Sequence, residues 1–167
     1  MELLNKSGGA SMEPRIHHGK ISPQGIEAAL QLYGYVKQCG LEPSLLHLVE
    51  VRASQINGCA YCIDVHAREA RASGESEQRI YALAAWRDTP FYTERERAAL
   101  AWTEAVTLIS IDCVPDEVYD QARHCFGEKE LVDLTFAVAS INTMNRLSVS
   151  FRNPVPGRFT PSHGPSR

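Results

Sequence analysis

The run Leu45-Leu46-His47-Leu48-Val49-Glu50-Val51-Arg52-Ala53-Ser54-Gln55-Ile56 constrains this chain most strongly. Its length and composition suit a helix, and apolar residues cover most of its circumference. Such a helix is buried on more than one side. Asn57-Gly58 closes it, because glycine reaches the left-handed conformation that ends helices.

The flanking sequence carries the same helical punctuation. Ser22-Pro23 is an N-cap followed by proline at the first helical position. The helix it opens carries Ile26, Leu30, Leu32, Tyr33 and Val36 and is expected to stop at Gly40. Beyond Asn57-Gly58 a helix runs from about Cys59 to Ala72, with Ser73-Gly74 as its stop. A further helix holds Ile80, Leu83 and Trp86 and is interrupted by Asp88-Thr89-Pro90. Thr93 with Glu96 matches a capping box, and Pro115-Asp116-Glu117 opens a shorter helix ending near Gly127. The last helix begins at Glu128 and runs to about Phe151. Strand alternation is nowhere convincing. The expectation is an all-α, roughly seven-helix domain over residues 12–152, with Trp86, Trp102 and Phe136 in its core. Residues 1–11 read as a disordered extension. The tail, residues 153–167, holds four of the nine prolines and reads as flexible.

Bulk properties remove several function classes. A net charge of −3 with scattered basic residues gives no case for nucleic acid. No apolar run is long enough to span a membrane and no secretory signal is visible, so a cytoplasmic location is expected. In such a chain of 167 residues with five cysteines, a C-x-x-C reads as redox or metal chemistry rather than a disulfide framework.

That C-x-x-C follows the glycine directly, in Cys59-Ala60-Tyr61-Cys62-Ile63-Asp64-Val65-His66. On a helix, Cys59, Cys62 and His66 share one stripe. Cys62 lies in the first turn, where unpaired N–H groups and the macrodipole favour a thiolate. His66, one turn on, can take the proton directly or through a water. Cys59 is within reach for a disulfide. The pattern suits a two-step redox cycle, with Cys62 as nucleophile and Cys59 as resolving thiol. A zinc site is the alternative, but Cys59, Cys62 and His66 supply only three of four ligands, with His17-His18 a remote fourth. Cys39, Cys113 and Cys125 have no partner thiol close in sequence and read as passive.

The run from Leu46 to His66 resembles the core of the AhpD-like alkylhydroperoxidases of the carboxymuconolactone decarboxylase superfamily. The resemblance continues through Ala82–Tyr92, Glu94–Trp102 and Ile141–Leu147. It implies an all-helical subunit assembling into trimers or hexamers and working without a bound cofactor. It implies reduction of a hydroperoxide by Cys62, resolution by Cys59 and a proton relay through His66. Electrons would come from a dithiol or dihydrolipoyl partner. The family's relay glutamate stands twelve residues before the first motif cysteine, a position held here by His47. Glu50, three residues on and near the same face, is the other relay candidate. The family's peroxidases carry a histidine between the cysteines where this chain has Tyr61. A decarboxylase-like lyase using His and Glu, and a non-catalytic metal-binding protein, are the rival functions. Arg52 reads as a paired structural arginine. Asn142, Asn145 and Arg146 fall late in the last helix, where only a minor part in the site wall is expected.

Overall fold

The computed structural model describes residues 13–157, so the expected extension over residues 1–11 and most of the tail lie outside the described residues. The described residues form helices and connecting turns. A short α1 (His18–Ile21) precedes α2 (Pro23–Val36), α3 (Pro43–Ile56) and α4 (Ala60–Ala72). Next come α5 (Glu77–Ala82), a 3₁₀ segment (Leu83–Asp88), α6 (Glu94–Thr107) and a four-residue α7 (Ile109–Asp112). The last described helices are α8 (Asp116–Cys125) and α9 (Glu128–Phe151). Among the described residues, counting α5 with its 3₁₀ extension, seven substantial helices make the bundle; α1 is a single turn before them and α7 a single turn between α6 and α8.

α3 is the axis, and its all-round apolar pattern has a direct explanation. Leu45, Leu46 and Val49 enter one core cluster with Ala98, Trp102, Leu134 and Val138. Leu48 and Val51 enter a second, with Leu83, Trp86, Tyr92 and Leu100. Ala53 enters a third, with Cys59, Cys62 and Ile141. Each large apolar side chain buried here contributes about 1.5–3 kcal/mol. Helices α4, α6 and α9 pack directly on α3.

Local signals act as the residues require. The Thr93 hydroxyl accepts from Glu96 N at 3.2 Å, and the Glu96 carboxylate accepts from Thr93 N at 2.8 Å, completing the capping box of α6. Glu130 performs the second half of that exchange for α9, accepting from Gly127 N at 2.8 Å.

Three expectations need correction. α2 ends at Val36, and a turn over Lys37–Cys39 leads to Gly40, whose φ of +102° makes the reversal. The helix expected through Ile80 and Trp86 changes character at Leu83 and leaves helical geometry at Ala85. There Trp86 turns inward to donate to Glu104 at 2.8 Å, so tertiary bonding overrides local propensity. Phe136 is 43% exposed rather than core, set edge-on to Tyr35 on the outer face of α9.

Arg52 is a paired arginine as expected. Its Nη2 lies 2.8 Å from Glu104, a carboxylate that also receives Trp86 and Arg87. Among the described residues, no helix is long and apolar enough to cross a membrane.

Candidate functional site

The turn between α3 and α4 places the motif. Asn57 is the C-cap of α3, and Gly58 takes φ +64°. Cys59 N donates to Ser54 O at 2.9 Å and Gly58 N to Gln55 O at 3.2 Å. These are the paired bonds of a Schellman motif, so the chain leaves α3 in one fixed direction. Cys59 is consequently the N-cap of α4, and its sulfur accepts from Cys62 N at 3.3 Å. Cys59 and Cys62 stand as a disulfide-linked pair with Cα atoms 5.4 Å apart. Both are almost wholly buried, beneath the half-buried Tyr61. Cys39, Cys113 and Cys125 are free thiols.

A buried polar net locks the turn from the side of α9. Asn57 Nδ2 donates to Ala53 O at 2.9 Å, to Asn142 Oδ1 at 3.0 Å and to Asn145 Oδ1 at 2.8 Å. Asn145 Nδ2 in turn donates to Ser54 Oγ at 3.0 Å, and Asn142 Nδ2 to Thr107 Oγ1 at 3.0 Å. Asn142 and Asn145 are therefore not a lining of the site. They hold the residues that deliver Cys59. Arg146 donates to Asn142 Oδ1 at 2.6 Å and steadies the same net.

His66 lies one turn after Cys62 and is 8% exposed. Its Nδ1 approaches two carboxylates, Glu69 Oε2 at 3.0 Å and Glu50 Oε2 at 3.3 Å. Nδ1 is then the protonated nitrogen, which leaves Nε2 as the basic one. Burial would lower the pKa of His66, but Glu50 and Glu69 outweigh it and hold the imidazolium above its ordinary range. Burial would raise Glu50, which is 2% exposed, yet the two imidazoles and Lys37 keep it ionised well below the usual carboxylate range.

Of the two expected relay residues, Glu50 contacts His66 directly. His47 Nδ1 instead faces Glu50 Oε2 at 3.4 Å, while its Nε2 pairs with Ser73 Oγ at 3.2 Å. Sequence reasoning missed three neighbours of this group. Glu69 stands three residues after His66 on the same helical face, a spacing that could have revealed it. Tyr33 arrives from α2 and Lys37 from the turn that follows it. The Tyr33 ring lies 6.5 Å from the His66 ring, and Lys37 Nζ is 2.8 Å from Glu50 Oε1.

One trio, His47, Glu50 and Glu69, offers donor atoms within 4.8 Å of one another. Its ligand count falls short of a closed structural zinc site, and the Lys37 ammonium already compensates the buried carboxylate. His18, the remote zinc candidate, pairs with Asn153 Oδ1 at 3.1 Å. Chemically the group is a disulfide-linked cysteine pair, an imidazole whose Nδ1 faces two carboxylates, and a charge-compensated buried carboxylate.

Comparison with known proteins gives this geometry a context. The model of the family described as "Carboxymuconolactone decarboxylase family" matches residues 23–105. The uncharacterized protein YdfG of Bacillus subtilis (strain 168) is 41% identical over 142 residues, 85% of this chain and 97% of that one. A crystal structure from Agrobacterium tumefaciens, of a protein of unknown function named as a candidate antioxidant defence protein AhpD, is 44% identical. It superposes with a TM-score of 0.85, covering 87% of this chain and 100% of its own. The apo debrominase Bmp8 shares the fold, with a TM-score of 0.73 at 20% identity over 81% of this chain and 73% of its own.

Proposed function

The chain belongs to the carboxymuconolactone decarboxylase family, with AhpD-like relatives, and we propose that it is a thiol peroxidase that reduces hydroperoxides through Cys62. The observation that carries the reading is the Cys59–Cys62 pair at the start of α4 with His66 one turn on, its Nδ1 tied to Glu50 and Glu69.

In the reduced protein, His66 Nε2 takes the Cys62 proton, and the ionised Glu50 supports the imidazolium that forms. The α4 N-terminus adds its partial positive charge beside the thiolate. The thiolate attacks the terminal oxygen of the hydroperoxide. The O–O bond breaks, Cys62 becomes a sulfenic acid, and the departing alkoxide leaves as the alcohol with the proton from His66. Cys59, three residues back and already capping the same turn, then attacks the Cys62 sulfur. That step expels water and forms the disulfide. A dithiol donor, of which a dihydrolipoyl group is one chemical form, reduces it and closes the cycle. This assigns Cys62 as nucleophile, Cys59 as resolving thiol, His66 as proton acceptor and donor, and Glu50 rather than His47 as its direct partner. His47 buttresses Glu50.

The test is hydroperoxide added to reduced protein, followed by mass spectrometry of the motif peptide. One equivalent is expected to join Cys59 to Cys62. Cys59→Ser should accumulate the Cys62 sulfenic acid, and Cys62→Ser should lose turnover. Free thiols persisting under excess hydroperoxide, or full turnover in Cys62→Ser, would refute the proposal.

A further inference from the structure

Lys37 lies outside the motif and on another helix's C-terminal turn, yet its contacts lead into the site. Nζ is 2.8 Å from Glu50 Oε1 and 4.9 Å from the centre of the Tyr33 ring. The Tyr33 ring in turn stands against His66. The Lys37 side chain is 29% exposed, whereas the side chain of Glu50 is only 3% exposed. The ammonium therefore reaches inward to a buried carboxylate across the face of an aromatic ring.

We propose that Lys37 is a positioning residue of the relay: its ammonium holds Glu50 Oε1 so that Oε2 faces His66, and its charge sets the pH at which His66 can accept a proton. The inference rests on reading Cys62 and His66 as the reactive pair.

The charge pattern supports this role. His66 is faced by Tyr33 from α2, by Glu50 from α3 and by Glu69 on its own helix, with Cys62 one turn back; His47 of α3 and Lys37, just past the end of α2, each reach it through Glu50. With His66 protonated, Lys37 and His66 balance Glu50 and Glu69. The set is then neutral in pairs. Without Lys37, two carboxylates share one imidazolium. Oε1 of a buried carboxylate also loses its partner, which frees the group to turn toward His66. Both effects make His66 keep its proton to higher pH. Since neutral His66 is the form that accepts the thiol proton, the acid limb of the activity profile must move the same way. Lys37 thus stops His66 from holding its proton too tightly to serve as the base. Burial tends to lower the pKa of Lys37 itself, but the Glu50 contact more than offsets it, so the ammonium remains charged throughout this range.

The decisive measurement is an NMR titration of the His66 ring in the disulfide-linked protein, comparing wild type, Lys37→Met and Lys37→Arg. Methionine keeps an unbranched side chain of similar length and removes the charge. Its His66 midpoint is expected to rise by about one pH unit, and arginine should bring it back toward the wild-type value. The acid limb of kcat/KM for hydroperoxide should shift by the same amount. A His66 midpoint in Lys37→Met that matches wild type would overturn the proposal, even if activity fell, because a merely structural lysine lowers rate without moving the titration. The titration involves no turnover. A shifted midpoint in a protein without peroxidase activity would uphold the role of Lys37 and sink only the peroxidase reading.

Discussion

Replacing Asn145 by alanine tests whether the buried amide net fixes the redox turn. Asn145 is fully buried. Its Oδ1 accepts from Asn57 at 2.8 Å and its Nδ2 donates to Ser54 at 3.0 Å. Two buried hydrogen bonds are worth about 1 kcal/mol each. Removing three heavy atoms leaves a small void that adds about 1 kcal/mol. The partners are not stranded, which limits the total. Asn57 keeps Ala53 O at 2.9 Å and Asn142 Oδ1 at 3.0 Å, and Ser54 Oγ still donates to Glu50 O at 2.7 Å. The expected loss is therefore about 3 kcal/mol, or a fall in Tm of about 6–12 °C for a chain of this size. Urea and thermal unfolding of the disulfide-linked form, followed by circular dichroism, measure it. A double-mutant cycle with Asn57→Ala isolates the shared bond and should return a coupling of about 1 kcal/mol. The disulfide should also be reduced faster in Asn145→Ala, since the turn that presents Cys59 is loosened. A loss below about 1 kcal/mol, or strict additivity in the cycle, would refute the argument that this net holds the turn.

Stability should depend on pH through Glu50 and His66 in opposite senses. The Glu50 pKa is depressed on folding, so its contribution is present above about 4.3 and fades as pH falls toward the folded value. The His66 pKa is raised, so its contribution is complete below about 6.5 and is lost as pH climbs through the folded value. The stability gap between wild type and Glu50→Gln should therefore be widest between about pH 4.5 and 6.5, at about 3 kcal/mol, and narrow on either side. A gap independent of pH in urea titrations would contradict it. At Gly58 the added methyl of Gly58→Ala meets no atom within 4 Å, so only the backbone at φ +64° resists. A loss of about 1–2 kcal/mol is expected by urea unfolding, and no loss would show that the left-handed turn is not required.

The all-α class and most helix boundaries were readable because their causes are local. A capping box at Thr93 and Glu96, a proline at position 23 and a glycine after Asn57 each act within a few residues, so the linear order displays them. The dithiol and His66 were readable for the same reason, since one helical turn brings them together whatever surrounds them. Glu50 was reachable as a candidate from its offset to the motif, but choosing between it and His47 needed the crossing of α3 and α4, which sets Glu50 Oε2 3.3 Å from His66 Nδ1. Lys37 was hidden, as a lysine after an amphipathic helix looks like any solvated lysine. The Asn57–Asn145 bond spans 88 positions, and no local period marks it. Phe136 misled because a phenylalanine in an apolar helix implies burial, while the packing of α9 leaves that face outward. Sequence alone determined most of the helical segments and which side chains share a turn, because backbone sterics and i to i+4 spacing act over short range. Tertiary structure alone decided which charges meet in the buried site, because low-dielectric ion pairs and amide nets depend on how helices distant in sequence cross.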